Sequence, residues 1–155
     1  MRIIAGRLKG SSLYIVKDKN TRPLKDIVRE SIFNLLNHSK KILIQLEQSN
    51  VLDLYAGTGS FGLECLSRQA KNVCFVEKKS DAVKILEKNI EKLKVKNKIK
   101  IFYNDIFELI EKQNISECKF DLIFCDPPFK DMNTEKLIRL IFSKDLLNKN
   151  GIIIL

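Results

Sequence analysis

The sequence predicts an α/β fold, a mostly parallel sheet with helices on both faces, and three observations carry that prediction. From Asn50 onward, short apolar runs alternate with stretches of helical period. Most runs are nearly continuously apolar, as strands covered on both faces must be. A glycine-rich stretch, "YAGTGSFG", joins the first run to the first helix that follows it.

Taken in order, "RIIAGRLKGSSLYIV" alternates apolar and polar residues around a Gly/Ser stretch and predicts a small β-hairpin. "TRPLKDIVRESIFNLLNH" predicts a helix, with Pro23 near its first turn, Asp26 at its positive end and Val28, Ile32, Leu35 and Leu36 as its apolar stripe. "NVLDLYA" is a strand, followed by a helix through "FGLECLSR". "NVCFVE" is the second strand, and Ala82, Val83, Leu86, Ile90 and Leu93 mark the next helix. "KIKIFY" is the third strand, with a short helix over "IFELIEK". "FDLIFC" is the fourth, and Leu137, Ile138, Ile141 and Phe142 line the helix after it. "GIIIL" begins a fifth strand. Residues 1–40 form an extension and residues 41–155 one compact unit. Ligands in such sheets bind beyond the carboxyl ends of the strands, where strand order reverses.

Composition narrows the functional classes. No apolar run approaches the roughly 20 residues of a membrane span, and "MRIIAGRLKG" does not resemble a secretory leader, so a cytoplasmic protein is expected. The four cysteines, Cys65, Cys74, Cys118 and Cys125, lack zinc-ligand spacing, and no metal is expected. A net charge of +9 suits a polyanionic partner such as nucleic acid, although a general lysine bias would produce it too.

Gly57, Gly59 and Gly62 match G-x-G-x-x-G, a pattern that lets a backbone turn sharply and approach a ligand closely. Glu77 ends the second strand about twenty residues later, where an acid can accept hydrogen bonds from both ribose hydroxyls. Asp105, after the third strand, could meet an adenine amino group while Ile106 flanks the ring. NAD would satisfy the glycines and Glu77. Asp53, four residues before Gly57, favours a cationic ligand moiety over a pyrophosphate, as in the α-amino group of S-adenosyl-L-methionine. Tyr55 and Ala56, beside the loop, and Lys78, after Glu77, complete the candidate cofactor set.

The fourth strand ends in "DPPF". Asp126 and the Pro127 carbonyl can accept hydrogen bonds from an exocyclic base amine, aim its lone pair at a methyl donor and stabilise the charge that develops on nitrogen. Pro127 and Pro128 stiffen the turn, and Phe129 offers a stacking face. An isolated D-P-P-F could simply end a strand. Its position after the fourth strand makes Asp126, Pro127 and Phe129 the catalytic candidates.

With these residues the chain resembles the class I S-adenosylmethionine-dependent methyltransferases, Rossmann-like enzymes, and more narrowly the RsmD family. Thr21, Arg22, Pro23, Asp26, Val28, Arg29, Glu30, Phe33, Asn34 and Leu36 match that family's T-R-P-x-x-D-x-V-R-E-x-x-F-N-x-L signature. The resemblance implies methylation of a guanine N2 in 16S ribosomal RNA by a monomer, on free RNA or within an assembling small subunit. Asp53, Gly57 and Gly59 would hold the methionine part, Glu77 the ribose, Asp105 the adenine, and Asp126 to Phe129 the target base. Phe129 stands where the family often has tyrosine, and Gln69 where glycine is usual. The family continues past the fifth strand into an antiparallel hairpin, which is expected to be missing here.

Arg2, Arg7, Lys9, Arg22 and Arg29, with Pro128, are the candidate RNA contacts, arginine forks being suited to phosphate. The lysines from Lys84 to Lys100 are read as a solvated helix face, and His38 as a helix-end cation. The alternatives are an adenine-N6 methyltransferase acting on RNA or DNA, an NAD(P)-dependent oxidoreductase, and a non-catalytic RNA-binding module.

Overall fold

The computed structural model describes residues 1–16, 24–112, 115, 119–128 and 133–155. Its strands are β1 (Asn50–Leu54), β2 (Asn72–Glu77), β3 (Ile99–Tyr103), β4 (Phe120–Cys125) and β5 (Leu147–Ile154). They form one sheet in the order β3-β2-β1-β4-β5, and every neighbouring pair is parallel. This is the Rossmann-like class I methyltransferase fold. Strand order reverses between β1 and β4.

The helices are α1 (Asp26–His38), α2 (Ser60–Ser67), α3 (Ser80–Leu93), α4 (Ile106–Lys112) and α5 (Thr134–Ser143). Alternate residues of the inner strands feed two cores. Val51, Val73, Phe75, Leu122 and Phe124 pack with α1, α2 and α3. Leu52, Leu54, Cys74, Val76, Ile123 and Cys125 pack with α4 and α5. Asp53 belongs to the first series, paired in register with Phe75 on one side and Phe124 on the other. A carboxylate thus occupies an apolar row. The cysteines Cys65, Cys74 and Cys125 are buried free thiols, and Cys118 lies outside the described residues.

Two N-terminal expectations change. The hairpin reduces to one antiparallel bridge, Arg2↔Ser12. Between residues 4 and 8 the backbone instead bonds to α2: Glu64 accepts from the Ile4 and Ala5 amides at 2.7 and 2.9 Å, and Ser67 Oγ accepts from Leu8 N–H at 2.9 Å. Gly6 allows this approach, because a Cβ there would stand 2.0 Å from the Ser67 carbonyl oxygen. The buried stripe of α1 is Arg29, Phe33 and Leu36, while Val28 and Leu35 are exposed. Tertiary partners set that rotation. Phe33 stacks on Phe61 at 5.1 Å, Phe61 stacks on Phe124 at 3.8 Å, and the Arg68 guanidinium lies 4.3 Å from the Phe33 ring centre.

Gln69 follows α2 with φ of 74°, so the left-handed turn persists without glycine. A side chain in this region is strained by about 1 kcal/mol, and glycine gives back part of the gain through unfolded-state entropy. Gln69→Gly is therefore expected to stabilise the fold by about 0.5 kcal/mol, read as a higher denaturant midpoint with an unchanged slope.

Candidate active site

A cavity of about 720 Å³ opens at the carboxyl end of the sheet, at the β1/β4 switch point. Local structure explains its floor. β1 ends at Leu54, Tyr55 takes a left-handed φ of 56°, and Gly57 and Gly59 do likewise before α2 begins. Gly59 also needs its missing Cβ, which would meet Leu86 at 2.3 Å, and Gly62 would meet Phe75 at 2.4 Å. A Cβ at Gly57 would meet nothing within 4 Å. The first two contacts seat α2 against α3 and the sheet; Gly57 leaves its side of the loop open.

Asp53, Glu77 and Asp126 all line this cavity. Asp53 is 1% exposed, and its Oδ2 accepts from Gly62 N–H at 2.9 Å, which caps α2. Burial pushes its carboxyl up to about 7; the Gly62 bond opposes this, and the charges of Asp126 and Glu77 add to it. Glu77 accepts from Gly57 N–H at 2.8 Å through Oε2 and from Lys79 N–H at 2.8 Å through Oε1. Each oxygen keeps a second lone pair. Asp126, directly after β4, stays accessible, and desolvation by the surrounding walls raises its carboxyl above the ordinary carboxylate value.

The cavity lining carries three acids, Asp53, Glu77 and Asp126, and three lysines, Lys25, Lys78 and Lys79, so it has no net formal charge although the whole chain carries +9. Among the described residues, no group of side chains is arranged to hold a metal ion, and no helix is long and apolar enough to cross a membrane.

The family described as "Conserved hypothetical protein 95" matches residues 1–155. The chain belongs to that family. It is 36% identical to "Ribosomal RNA small subunit methyltransferase D" of Haemophilus influenzae, over 99% of this chain and 76% of that protein. It is 33% identical to "Putative rRNA methyltransferase YlbH" of Bacillus subtilis, over 99% of this chain and 80% of the relative. Among solved structures, "Putative methyltransferase yhhF from Escherichia coli" superposes with a TM-score of 0.83 at 28% identity, covering 99% of this chain and 78% of that one.

In this family member, most residues expected at the site line the cavity: Asp53, Tyr55, Ala56, Gly57, Glu77, Lys78, Ile106, Asp126, Pro127 and Pro128. Gly59 shapes the loop from behind, without lining it. Asp105 departs from expectation. It accepts from Lys78 Nζ at 3.2 Å and from Phe107 N–H at 2.9 Å, so it caps α4, and the cavity is lined by its neighbour Asn104 instead. Desolvation pushes the Asp105 carboxyl up, but these hydrogen bonds outweigh it and hold the group below its usual range. Phe129 and Arg22 lie outside the described residues.

Of the expected RNA contacts, Arg2, Arg7 and Lys9 are exposed. Arg29 is not available to RNA: it is 0% exposed, donates from Nη2 to Arg2 O and to Asp26 Oδ1, and sits 3.8 Å from Glu64. An arginine in a charged N-terminal run reads as surface, and only the fold reveals its buried partners. Sequence reasoning also missed Val16, Leu24, Lys25 and Val28, which wall the cavity from the N-terminal side. No motif marks Val16, Leu24 and Lys25 as site residues, and Val28, although a signature position, reads in the sequence as part of a helix's apolar stripe. Thr58 lay in plain view between the two expected glycines.

Proposed function

We propose that this protein transfers a methyl group from S-adenosyl-L-methionine to the exocyclic N2 of a guanine in 16S ribosomal RNA. The observation that carries the reading is the convergence of Asp53, Glu77 and Asp126 on one cavity at the point where strand order reverses. The names borne by relatives about one-third identical in sequence support the RNA substrate. The donor set suits the cofactor: Asp53 would face its ammonium group, the second lone pairs of Glu77 its ribose hydroxyls, and Ile106 the adenine face. Asn104 takes over the polar contact first expected of Asp105. The Gly57 N–H that a pyrophosphate would need at the glycine-rich loop is already donated to Glu77, which disfavours the NAD(P) alternative.

S-adenosyl-L-methionine supplies an electrophilic methyl on a sulfonium centre. Asp126 and the Pro127 carbonyl accept hydrogen bonds from the target amine, orient its lone pair and stabilise positive charge on nitrogen. The raised Asp126 carboxyl is also a stronger base, fit to hold the proton that the amine sheds. Phe129 offers the base a stacking face, and Arg2, Arg7 and Lys9 meet phosphate on the outer surface. Lys25, exposed on the cavity wall, is a further cation within the same entrance.

A pH dependence follows from Asp53. Burial pushes its carboxyl up to about 7, so below that pH it is mostly neutral and must lose a proton to face an ammonium group. Cofactor affinity is expected to fall as pH drops from 8 to 6, with net proton release at pH 6 and almost none at pH 8.5. Calorimetry in buffers of different ionisation enthalpy reads this directly. Stability has the opposite sign. A raised acid favours the fold below its unfolded value near 4, and that contribution is lost as pH climbs to about 7.

Methyl transfer from tritiated cofactor onto 16S rRNA and small subunits, with mapping of the labelled base, tests the whole reading. N2-methylguanosine is expected. N6-methyladenosine would move the assignment to the adenine-N6 alternative, and no transfer to either substrate would reject the function.

A further inference from the structure

Asn89 of α3 lies outside the machinery described above, yet it is 0% exposed and fully engaged. Its Oδ1 accepts from Tyr14 N–H at 2.8 Å, and its Nδ2 donates to Tyr14 O at 3.1 Å and to Thr58 O at 3.0 Å. Turning the amide over would set its donor against Tyr14 N–H and its acceptor against two carbonyls, so one orientation alone satisfies all three partners. Tyr14 belongs to the N-terminal segment whose Val16 walls the cavity; Thr58 belongs to the glycine-rich loop and lines the same cavity. Gly57, one residue before Thr58, is the loop residue that donates to Glu77. A single buried side chain therefore ties the cofactor loop to the N-terminal segment.

We propose that Asn89 is a positioning residue that couples cofactor binding to the N-terminal RNA-facing segment, so that a filled loop holds Tyr14 to Val16 in place for RNA. This inference rests on the reading of the cavity as the cofactor site. Three features support coupling over simple packing. The loop residue held by Asn89 sits between two glycines of positive φ, where the backbone has the most freedom to shift. Both backbone groups of Tyr14 go to the same amide, so a displacement of Thr58 acts on Tyr14 through one rigid planar group. A second tether, from Ser67 to Leu8, reaches the same N-terminal segment from the end of α2 opposite the loop and serves as an internal control.

Hydrogen exchange at single amides, with and without S-adenosyl-L-homocysteine, tests the coupling. In the unaltered protein, saturating ligand is expected to slow exchange at Tyr14 N–H about threefold or more relative to Leu8 N–H. Asn89→Ala should remove that difference, and Ser67→Ala should lower stability yet keep it. Affinity for 16S rRNA should rise about fivefold with ligand in the unaltered protein, and not in Asn89→Ala. Equal slowing at Tyr14 and Leu8, or full coupling in Asn89→Ala, overturns the proposal. Should Asn89→Ala fail to fold, the two amides of the unaltered protein decide the matter alone. Calorimetry on the same samples separates this from failure of the functional reading, where no ligand binding would be seen at all.

Discussion

Asp126→Ala is expected to lower the rate of methyl transfer by about 10²- to 10³-fold, with cofactor binding retained. The side chain stands at the mouth of β4, accessible within the cavity, and no hydrogen bond or ion pair ties it to the rest of the described residues. Removing it therefore takes away the acceptor for the target amine while the walls stay in place. Asp126→Asn should keep much more activity than alanine, because an amide oxygen still accepts from the amine. It should also change the pH profile, since an amide cannot take the proton. Loss of the carboxylate has a second consequence. The charge of Asp126 helps to raise Asp53, so in Asp126→Ala the Asp53 carboxyl ionises at lower pH and cofactor binding at pH 6 strengthens. Single-turnover transfer and calorimetry on the same variant check both effects. A variant of unchanged rate removes Asp126 from the mechanism.

Glu64→Ala is expected to be the most destabilising of these substitutions, by about 3–5 kcal/mol. Glu64 is fully buried and accepts from the Ile4 and Ala5 amides and from Arg68 Nε at 3.0 Å, with Arg29 Nε at 3.8 Å. Arg29 is already poorly served: its Nε and Nη1 have no hydrogen-bond partner among the described residues, and desolvation lowers its pKa against the pull of Glu64 and Asp26. Alanine would leave that buried cation with the half-exposed Asp26 alone to face it among the described residues, and would release the Ile4 and Ala5 amides. Glu64→Gln keeps one of the two oxygens that accept from the Ile4 and Ala5 amides and replaces the other with an NH2 donor, losing one amide bond and the charge, so a loss smaller than alanine's is expected. Equilibrium denaturation checks the order: unaltered protein, then glutamine, then alanine.

The sheet was legible because its signals are local. β2, β4 and α4 run over the very residues that apolar runs and helical period mark out, "NVCFVE", "FDLIFC" and "IFELIEK". The acids of the cavity were legible for a related reason: Asp53, Glu77 and Asp126 each lie within one residue of the carboxyl end of a parallel strand, and parallel strands deliver those ends to one side. Asp105 follows β3 by two residues, but a helix starts one residue later and claims its Oδ1, while Lys78 takes its Oδ2.

Chain order and residue type were enough to establish the strand series, the glycine loop and the acids that face it, since each depends on neighbours a few residues away. The rotation of α1, the burial of Arg29, the collapse of the hairpin to one bridge and the Asn89 tether emerged only on folding. Their partners lie 27 to 75 residues away along the chain. Which face of a helix is buried, and whether a charge points to water, is decided by what packs against it, and no periodicity within the segment carries that information.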